Sequence, residues 1–408
     1  MKIVHITPHL GGGVGKAHAA LCEADEETAD RHYVLLEAPR DTRHADTIRQ
    51  SGAAVSIAPD MGLVRDLISS ADLIQFEWWN HPLMCGLLAG PPLPPMRTVF
   101  WSHVSGISTP FIPKGLVEAA DRFVFTSECS RLAGNMAGLD ADVVARTEVI
   151  NSGFGYPSTG GHQPRDHRGH GISYLGTVEF TKMNPAMMEV IDRVAHSDVI
   201  VDVWGGVEAS SPVHDAIAAM KHPGRFRLRG QTQTPREALQ HSSIFLYLLQ
   251  PFHFGTAENA LVEAMSLGCA PLVLANPCEL AIVRHGETGL VAQSADHAVE
   301  LLTWMLEHPQ EVCRMGEAAR KEVSEAKTPE RSIAAFRRLW QSTLAQPKRI
   351  PDLGRVLGST PRDWHAVLQG VAYARDTGLQ SAQSASKGSL AHFEAYYPDL
   401  DQAPTNPV

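Results

Sequence analysis

The chain has 408 residues, 44% hydrophobic and 20% charged, with a formal net charge of −10. That length exceeds what one hydrophobic core usually serves and favours two domains. The acidity argues against a nucleic-acid or anionic-membrane surface as the main partner, which needs clustered Lys and Arg, and no apolar run approaches the roughly 18 residues of a membrane span.

Met1 to Thr7 reads as a core strand, without the basic and long apolar regions of a secretory signal. The six cysteines are scattered, with no Cys-x-x-Cys pair, which fits reduced thiols and gives no support to a structural zinc. The expected location is the cytoplasm.

Short β-branched or aromatic runs then alternate with amphipathic stretches: Lys2 to Thr7, Tyr33 to Glu37, Ala54 to Ala58, Asp72 to Phe76, Thr98 to Trp101, Phe123 to Thr126 and Glu148 to Ile150. That alternation predicts a parallel sheet wrapped by helices over 1–151. Residues 152–171, rich in Gly, Pro and His, read as a linker. The linker histidines His162, His167 and His170 lack a regular face on which metal ligands could converge. The alternation resumes over 172–327, at Ile172 to Leu175, Val199 to Val203, Phe226 to Leu228, Ile244 to Leu249 and Pro271 to Leu274. The expected fold class is therefore α/β, two Rossmann-like doubly wound domains facing a central cleft, with ligands held on the loops after strands. Residues 328–408 read as a helix returning to the first domain, followed by a partly flexible tail with an aromatic patch at His392 to Tyr397.

The first strand leads into Gly11-Gly12-Gly13-Val14-Gly15-Lys16, and Ala17, Ala20, Leu21 and Ala24 come next at helical spacing. Glycines let backbone amides approach a phosphate, and the helix start adds partial positive charge. A magnesium-binding P-loop does not fit, because Leu10 stands at its first glycine and Ala17 at its hydroxyl. A dinucleotide fingerprint has only Glu37 to close the second strand.

Ile244 to Leu274 is the most informative stretch. A buried strand enters a loop, Thr256 can N-cap a helix, Ala257, Ala260, Leu261, Ala264 and Met265 form its apolar stripe, and Gly268 ends it. The amides of Glu258, Asn259 and Ala260 would offer an anion site. Glu263, about 10 Å further by helical rise, could accept two hydroxyls of a ribose.

This run resembles the Glu-x7-Glu region of retaining GT-B glycosyltransferases of the family-4 type. Glu263 matches the second glutamate, and Ala264-Met265, Gly268 and Pro271-Leu272-Val273 match the family's pattern on its carboxyl-terminal side. The first glutamate does not match: eight residues before Glu263 stands Gly255, and Glu258 is the nearest acid. Gly176 to Lys182 resembles the family's Gly-Arg-(x)4-Lys, with Lys182 in place and Thr177 where the arginine belongs. Gly205-Gly206, Arg229 to Thr232 and Gly286 to Val291 resemble loops around the donor base and a closing turn. On the other side, Thr98 to Gly106 resembles the strand that ends in a cleft histidine, His103, while Glu77-Trp78-Trp79-Asn80-His81 combines aromatic faces with hydrogen-bonding groups suited to a sugar. Phe125 to Ser130 also resembles a family segment.

The resemblance spans Met1 to about Trp340. It implies a glycosyltransferase that moves a sugar from a nucleotide diphosphate donor to a soluble small-molecule or glycan acceptor; none of these loops identifies uracil over guanine, and a UDP-sugar is ranked ahead of a GDP-sugar. Retention is implied, with no metal and no cofactor. His103, Lys182 and Glu258 are the catalytic candidates. Donor contacts are expected from Gly12, Gly13, Thr177, Lys182, Gly205, Gln231, Thr232, Glu258, Asn259, Ala260, Leu261 and Glu263, and acceptor contacts from Glu77, Trp78, His81 and His103. The alternatives are a nucleotide-sugar 2-epimerase or hydrolase, which would release nucleotide without transfer, and a noncatalytic nucleotide-sugar binding protein.

Overall fold

The computed structural model describes residues 1–26, 30–155, 171–197, 199–253, 255–370 and 388–404. Most of the expected linker, with its three histidines, lies outside the described residues. The chain divides into two compact units. The first comprises Met1–Gly153, Phe254–Ala257 and Pro329–Val408, and the second Phe154–His253 and Glu258–Thr328.

In the first unit, strands β1 (Lys2–Thr7), β2 (Asp30–Leu35), β3 (Ala54–Ile57), β4 (Leu73–Trp78), β5 (Thr98–Ser102), β6 (Arg122–Phe125) and β7 (Thr147–Val149) form one sheet in the order β3-β2-β1-β4-β5-β6-β7. Every neighbouring pair is parallel. Strands β4 and β5 are buried along their whole length, as helices on both faces of a parallel sheet require. The chain runs outward from β1 to β3, then restarts at β4 on the other side of β1. Connections after β1 and β4 therefore diverge, leaving a crevice beyond their carboxyl ends.

The end of the chain folds onto the same unit. In helix Pro329–Thr343, the indole of Trp340 donates to the side-chain carbonyl of Gln75 at 2.7 Å. Trp364, Phe393 and Leu400 join the first unit's hydrophobic core. The aromatic patch expected in a partly flexible tail is thus a packed helix, Leu390–Tyr396, whose start is capped by the Ser389 hydroxyl. Burial of Phe393 is what a composition-based reading misses, since one anchoring side chain carries no periodic signal.

The second unit repeats the plan with β8 (Gly171–Leu175), β9 (Val201–Trp204), β10 (Phe226–Gly230), β11 (Ser242–Tyr247), β12 (Ala270–Leu274) and β13 (Leu290–Ala292), ordered β10-β9-β8-β11-β12-β13 and parallel throughout. Its switch point falls between β8 and β11. Strand β13 has only three residues and sits inside the Gly-x-Thr-Gly-Leu-Val turn, too short for the sequence to announce it. Among the described residues no helix is long and apolar enough to cross a membrane.

Candidate functional site

In the second unit the loops leaving β8 and β11 are tied together beyond the switch point. Asn184 N–H donates to Leu248 O at 2.9 Å, and Gln250 N–H donates to Lys182 O at 2.8 Å. Met183 and Leu249 form an isolated antiparallel bridge. These backbone bonds fix where Lys182 stands. Its ammonium lies 3.1 Å from Oε2 of Glu258, with its side chain 16% exposed and that of Glu258 fully buried. The Tyr247 hydroxyl donates to the same oxygen at 2.7 Å.

The other Glu258 oxygen, Oε1, has no hydrogen-bond partner among the described residues, and His253 Nδ1 approaches it only to 3.7 Å. His253 Nε2 is 3.5 Å from Glu279 Oε1, so one imidazole stands between two buried carboxyls. Burial is the largest influence on Glu258 and pushes its carboxyl up, but Lys182, His253 and the Tyr247 hydroxyl together hold it below the ordinary value. Glu279 moves the other way: burial raises its carboxyl, and the nearby Glu258 charge adds to the rise against the bond with His253. Two acids with opposed shifts in one pocket of charge are what a functional site provides.

Helix Asn259–Ser266 begins one residue after Glu258, which occupies the N-cap position with φ 37° and ψ 55°. This corrects the expected start, because Thr256 does not cap the helix. Its hydroxyl instead accepts from the Thr126 hydroxyl at 2.9 Å, and both residues belong to the first unit. The amides of Asn259 and Ala260 open the helix, where no intrahelical acceptor exists. Leu261 leaves the set of donor contacts: its side chain is fully buried and its amide donates to Glu258 O at 2.9 Å. Glu263 is only 4% exposed, so it is not a solvated surface acid.

Gly205 is required by packing. A Cβ there would lie 2.1 Å from the carbonyl oxygen of Gly176, and its amide donates to Gly230 O at 2.9 Å. The loops after β8, β9 and β10 therefore meet at this glycine. Thr177 is exposed, and its carbonyl accepts the Tyr174 hydroxyl at 2.7 Å. Gln231 is exposed, while the Thr232 hydroxyl accepts the Thr234 amide at 3.0 Å.

In the first unit, Gly12 opens helix Gly12–Glu23 with φ +60°, and Gly12 and Gly13 are exposed. Gly15 holds the turn closed, since a Cβ there would overlap the Leu10 carbonyl oxygen. Below the turn, Glu77 is a buried hub. It accepts from Gln75 Nε2 at 3.0 Å, is bonded to His5 Nδ1 at 3.3 Å, and is bonded to His103 Nε2 at 2.9 Å. His18 Nε2 is 3.1 Å away but not aligned for a hydrogen bond. Burial acts to raise the Glu77 carboxyl, and the pull of His18 with the bond from His103 more than offsets it, leaving it well below the carboxylate range. Burial drives His5 down to about 4, so this ring is neutral.

Two acceptor-side expectations change. Glu77 is fully buried, so it has no surface to offer an acceptor, and its side chain is bonded to His103 Nε2. Trp78 is fully buried in the hydrophobic core, because alternation along β4 turns its ring inward, so it has no face to offer a sugar. His81 is buried, its Nδ1 accepting the Leu83 amide at 3.2 Å at the start of helix Pro82–Ala89. Sequence reasoning missed Tyr247, His253 and Glu279 in the second unit and His5, His18 and Tyr396 in the first. The one available signal was His5, an ionisable residue inside the apolar run Ile3 to Ile6.

Residues 165–322 match the family described as glycosyl transferases group 1. No curated protein matches the chain. Among solved structures, the fold is similar to that of the Anabaena protein HepE in complex with UDP and glucose, with TM-score 0.64, 15% identity, and coverage of 84% of this chain and 100% of that one. A glycosyltransferase from Rickettsia africae gives TM-score 0.65 at 12% identity over 85% of this chain and 99% of that one. Sucrose-phosphate synthase from Thermosynechococcus elongatus gives 0.62 at 14% over 85% and 99%. The fold is GT-B, and the family match over the second sheet supports sugar transfer from a nucleotide sugar.

Proposed function

We propose that this protein is a retaining, metal-independent GT-B glycosyltransferase of the family-4 type that uses a UDP-sugar. The observation that carries the reading is the Lys182–Glu258 pair set against the start of helix Asn259–Ser266 at the switch point of the second sheet. A diphosphate there gains the helix amides and the Lys182 ammonium. Glu258 Oε1, buried and without a partner among the described residues, can accept a hydroxyl of the donor sugar. Glu263, one turn along the helix from Asn259, is the ribose candidate. Gly12, Gly13, Thr177, Gly205, Gln231 and Thr232 are the further donor contacts in this reading.

As the sugar–phosphate bond breaks, negative charge grows on the diphosphate. Prearranged amides and an ammonium stabilise that charge more than they stabilise the ground state, which is electrostatic catalysis. Thr177 replaces an arginine of the family pattern, so Lys182 and the amides carry more of the load. On the acceptor side, Glu77 fixes the His103 ring by its bond to Nε2, which leaves Nδ1 to carry the lone pair when the ring is neutral. UDP bound to the Anabaena protein favours uridine as the base.

Thermal shift with UDP- and GDP-sugars in the presence of chelator, with product analysis by NMR afterwards, tests the reading. The expected result is selective stabilisation by UDP-sugars and an α-product from an α-donor. Nucleotide release without transfer would indicate the epimerase or hydrolase, and tight donor binding indifferent to Lys182→Ala would indicate a noncatalytic binder.

A further inference from the structure

Two buried acids flank His253 in the second unit, and the donor reading uses only Glu258. The side chains of Glu258 and Glu279 are both 0% exposed. Each keeps one oxygen, Oε1 of Glu258 and Oε2 of Glu279, without a hydrogen-bond partner among the described residues. The other oxygens are engaged. Glu258 Oε2 faces the Tyr247 hydroxyl and the Lys182 ammonium, and Glu279 Oε1 accepts from Asn276 Nδ2 at 3.1 Å.

The groups around this pair come from four neighbouring segments. His253, on the loop after β11, stands 3.7 Å from Glu258 and 3.5 Å from Glu279. Tyr174 on β8 and Tyr247 on β11 stack at 5.6 Å. Burial and the Glu258 charge push both phenols up, so they hold their protons. Lys182, on the loop after β8, supplies the ammonium that offsets Glu258.

That ammonium can move while its backbone cannot. The Lys182 amide donates to Glu179 O at 3.0 Å and its carbonyl accepts from Gln250 at 2.8 Å. The four-carbon stem is flexible, and 16% of the side chain is exposed. A diphosphate at the start of helix Asn259–Ser266 draws the ammonium toward itself and therefore away from Glu258. A carboxylate left buried without its cation is costly, and such a group neutralises by taking a proton. The balance is already set for this. Burial pushes the Glu258 carboxyl up and Lys182 is the largest influence against it, while burial has raised Glu279, with the Glu258 charge adding to the rise.

We propose that donor binding is linked to proton uptake: as Lys182 turns to the diphosphate, the buried pair Glu258 and Glu279 takes one proton from solvent on an open carboxylate oxygen. The bond formed is that O–H, and the positive charge that leaves with the ammonium is replaced. This rests on the donor reading, since it needs a diphosphate at Lys182. Its consequence is a site that holds donor more tightly as pH falls, because the bound state carries the extra proton.

The test is calorimetry of UDP-glucose on the full chain, in buffers of different ionisation enthalpy. UDP-glucose is a diphosphate diester with no group of its own that titrates near neutral pH, so the count reports on the protein. About one proton should be taken up per molecule bound, and the association constant should fall by up to about tenfold per pH unit as pH rises through neutrality. Glu258→Gln, which keeps the shape and an oxygen for Tyr247, should lower the uptake to near zero and flatten that pH dependence, and Lys182→Met should do the same. The wild-type count decides even where a variant does not fold. UDP-glucose binding without net proton uptake would mean that Lys182 bridges both partners, and it overturns the proposal alone. Uptake by Glu258→Gln equal to that of wild type overturns it too, since the proton then goes elsewhere. Failure of UDP-glucose to bind at millimolar concentration would sink the donor reading and this proposal with it.

Discussion

Lys182→Met keeps much of the side-chain volume and removes a positive charge from beside a fully buried carboxylate. At 3.1 Å, with an effective dielectric of about 20, the charges attract by about 5 kcal/mol before desolvation is counted. Lys182 is 16% exposed, and His253 and the Tyr247 hydroxyl remain beside Glu258 after the substitution. The expected loss at neutral pH is therefore about 2–3 kcal/mol, below the roughly 3–5 kcal/mol for breaking a wholly buried pair. The pH dependence identifies the cause. In the wild type the Glu258 carboxyl is held below 4.5, so its contribution is present above that value and lost as pH falls through the folded-state pKa. In the variant the strongest opponent of burial is gone, the carboxyl shifts up, and it takes a proton sooner. Urea unfolding monitored by circular dichroism should show the gap between the two proteins widest near pH 7 and narrowing as pH falls through 4.5. A gap that stays constant over that range, or no gap, would refute the pairing argument.

Three further outcomes are expected. Glu263→Ala should weaken UDP by about tenfold or more in calorimetry if its carboxylate holds two ribose hydroxyls. Gly205→Ala should lower stability by about 1–3 kcal/mol in the same unfolding assay, because backbone and not a mobile side chain blocks the added methyl. His5 is lowered by burial to about 4 from 6.5, so the unfolded chain binds the proton first and stability falls with acidification between those values. Replacement by Asn should flatten that slope by roughly 3 kcal/mol over the window.

Both sheets could be read from alternating runs, because parallel strands buried on both faces are continuous apolar stretches that helical segments interrupt. The start of the donor-side helix was misread for a definite reason. Thr256 is a good capping residue in isolation, but its hydroxyl is taken by Thr126, 130 positions away in sequence, and local propensity cannot see such a partner. Trp78 failed similarly: a tryptophan after an acid at a strand end can face a ligand or the core, and only the strand's orientation decides. His253 and Glu279 were invisible because their meaning lies in each other. The docking of the carboxyl-terminal helix was missed because Tyr396 meets Glu37, a pair 359 positions apart.

On the proposed reading, the donor chemistry turns on the charge of Lys182. In this structure it is already neutralised by Glu258, so an arriving diphosphate competes with a carboxylate for one ammonium. The helix amides of Asn259 and Ala260 have no such competitor inside their helix, which on the proposed reading makes them the first anchor and Lys182 the second. Glu258 itself sits in a left-handed conformation that disfavours side chains, and replacing it by glycine would relieve the backbone while removing the carboxylate. A chain that keeps a glutamate there retains the carboxylate despite the strain. On the proposed reading, the group to use it is a donor-sugar hydroxyl meeting Oε1, with Lys182 turned to the phosphates.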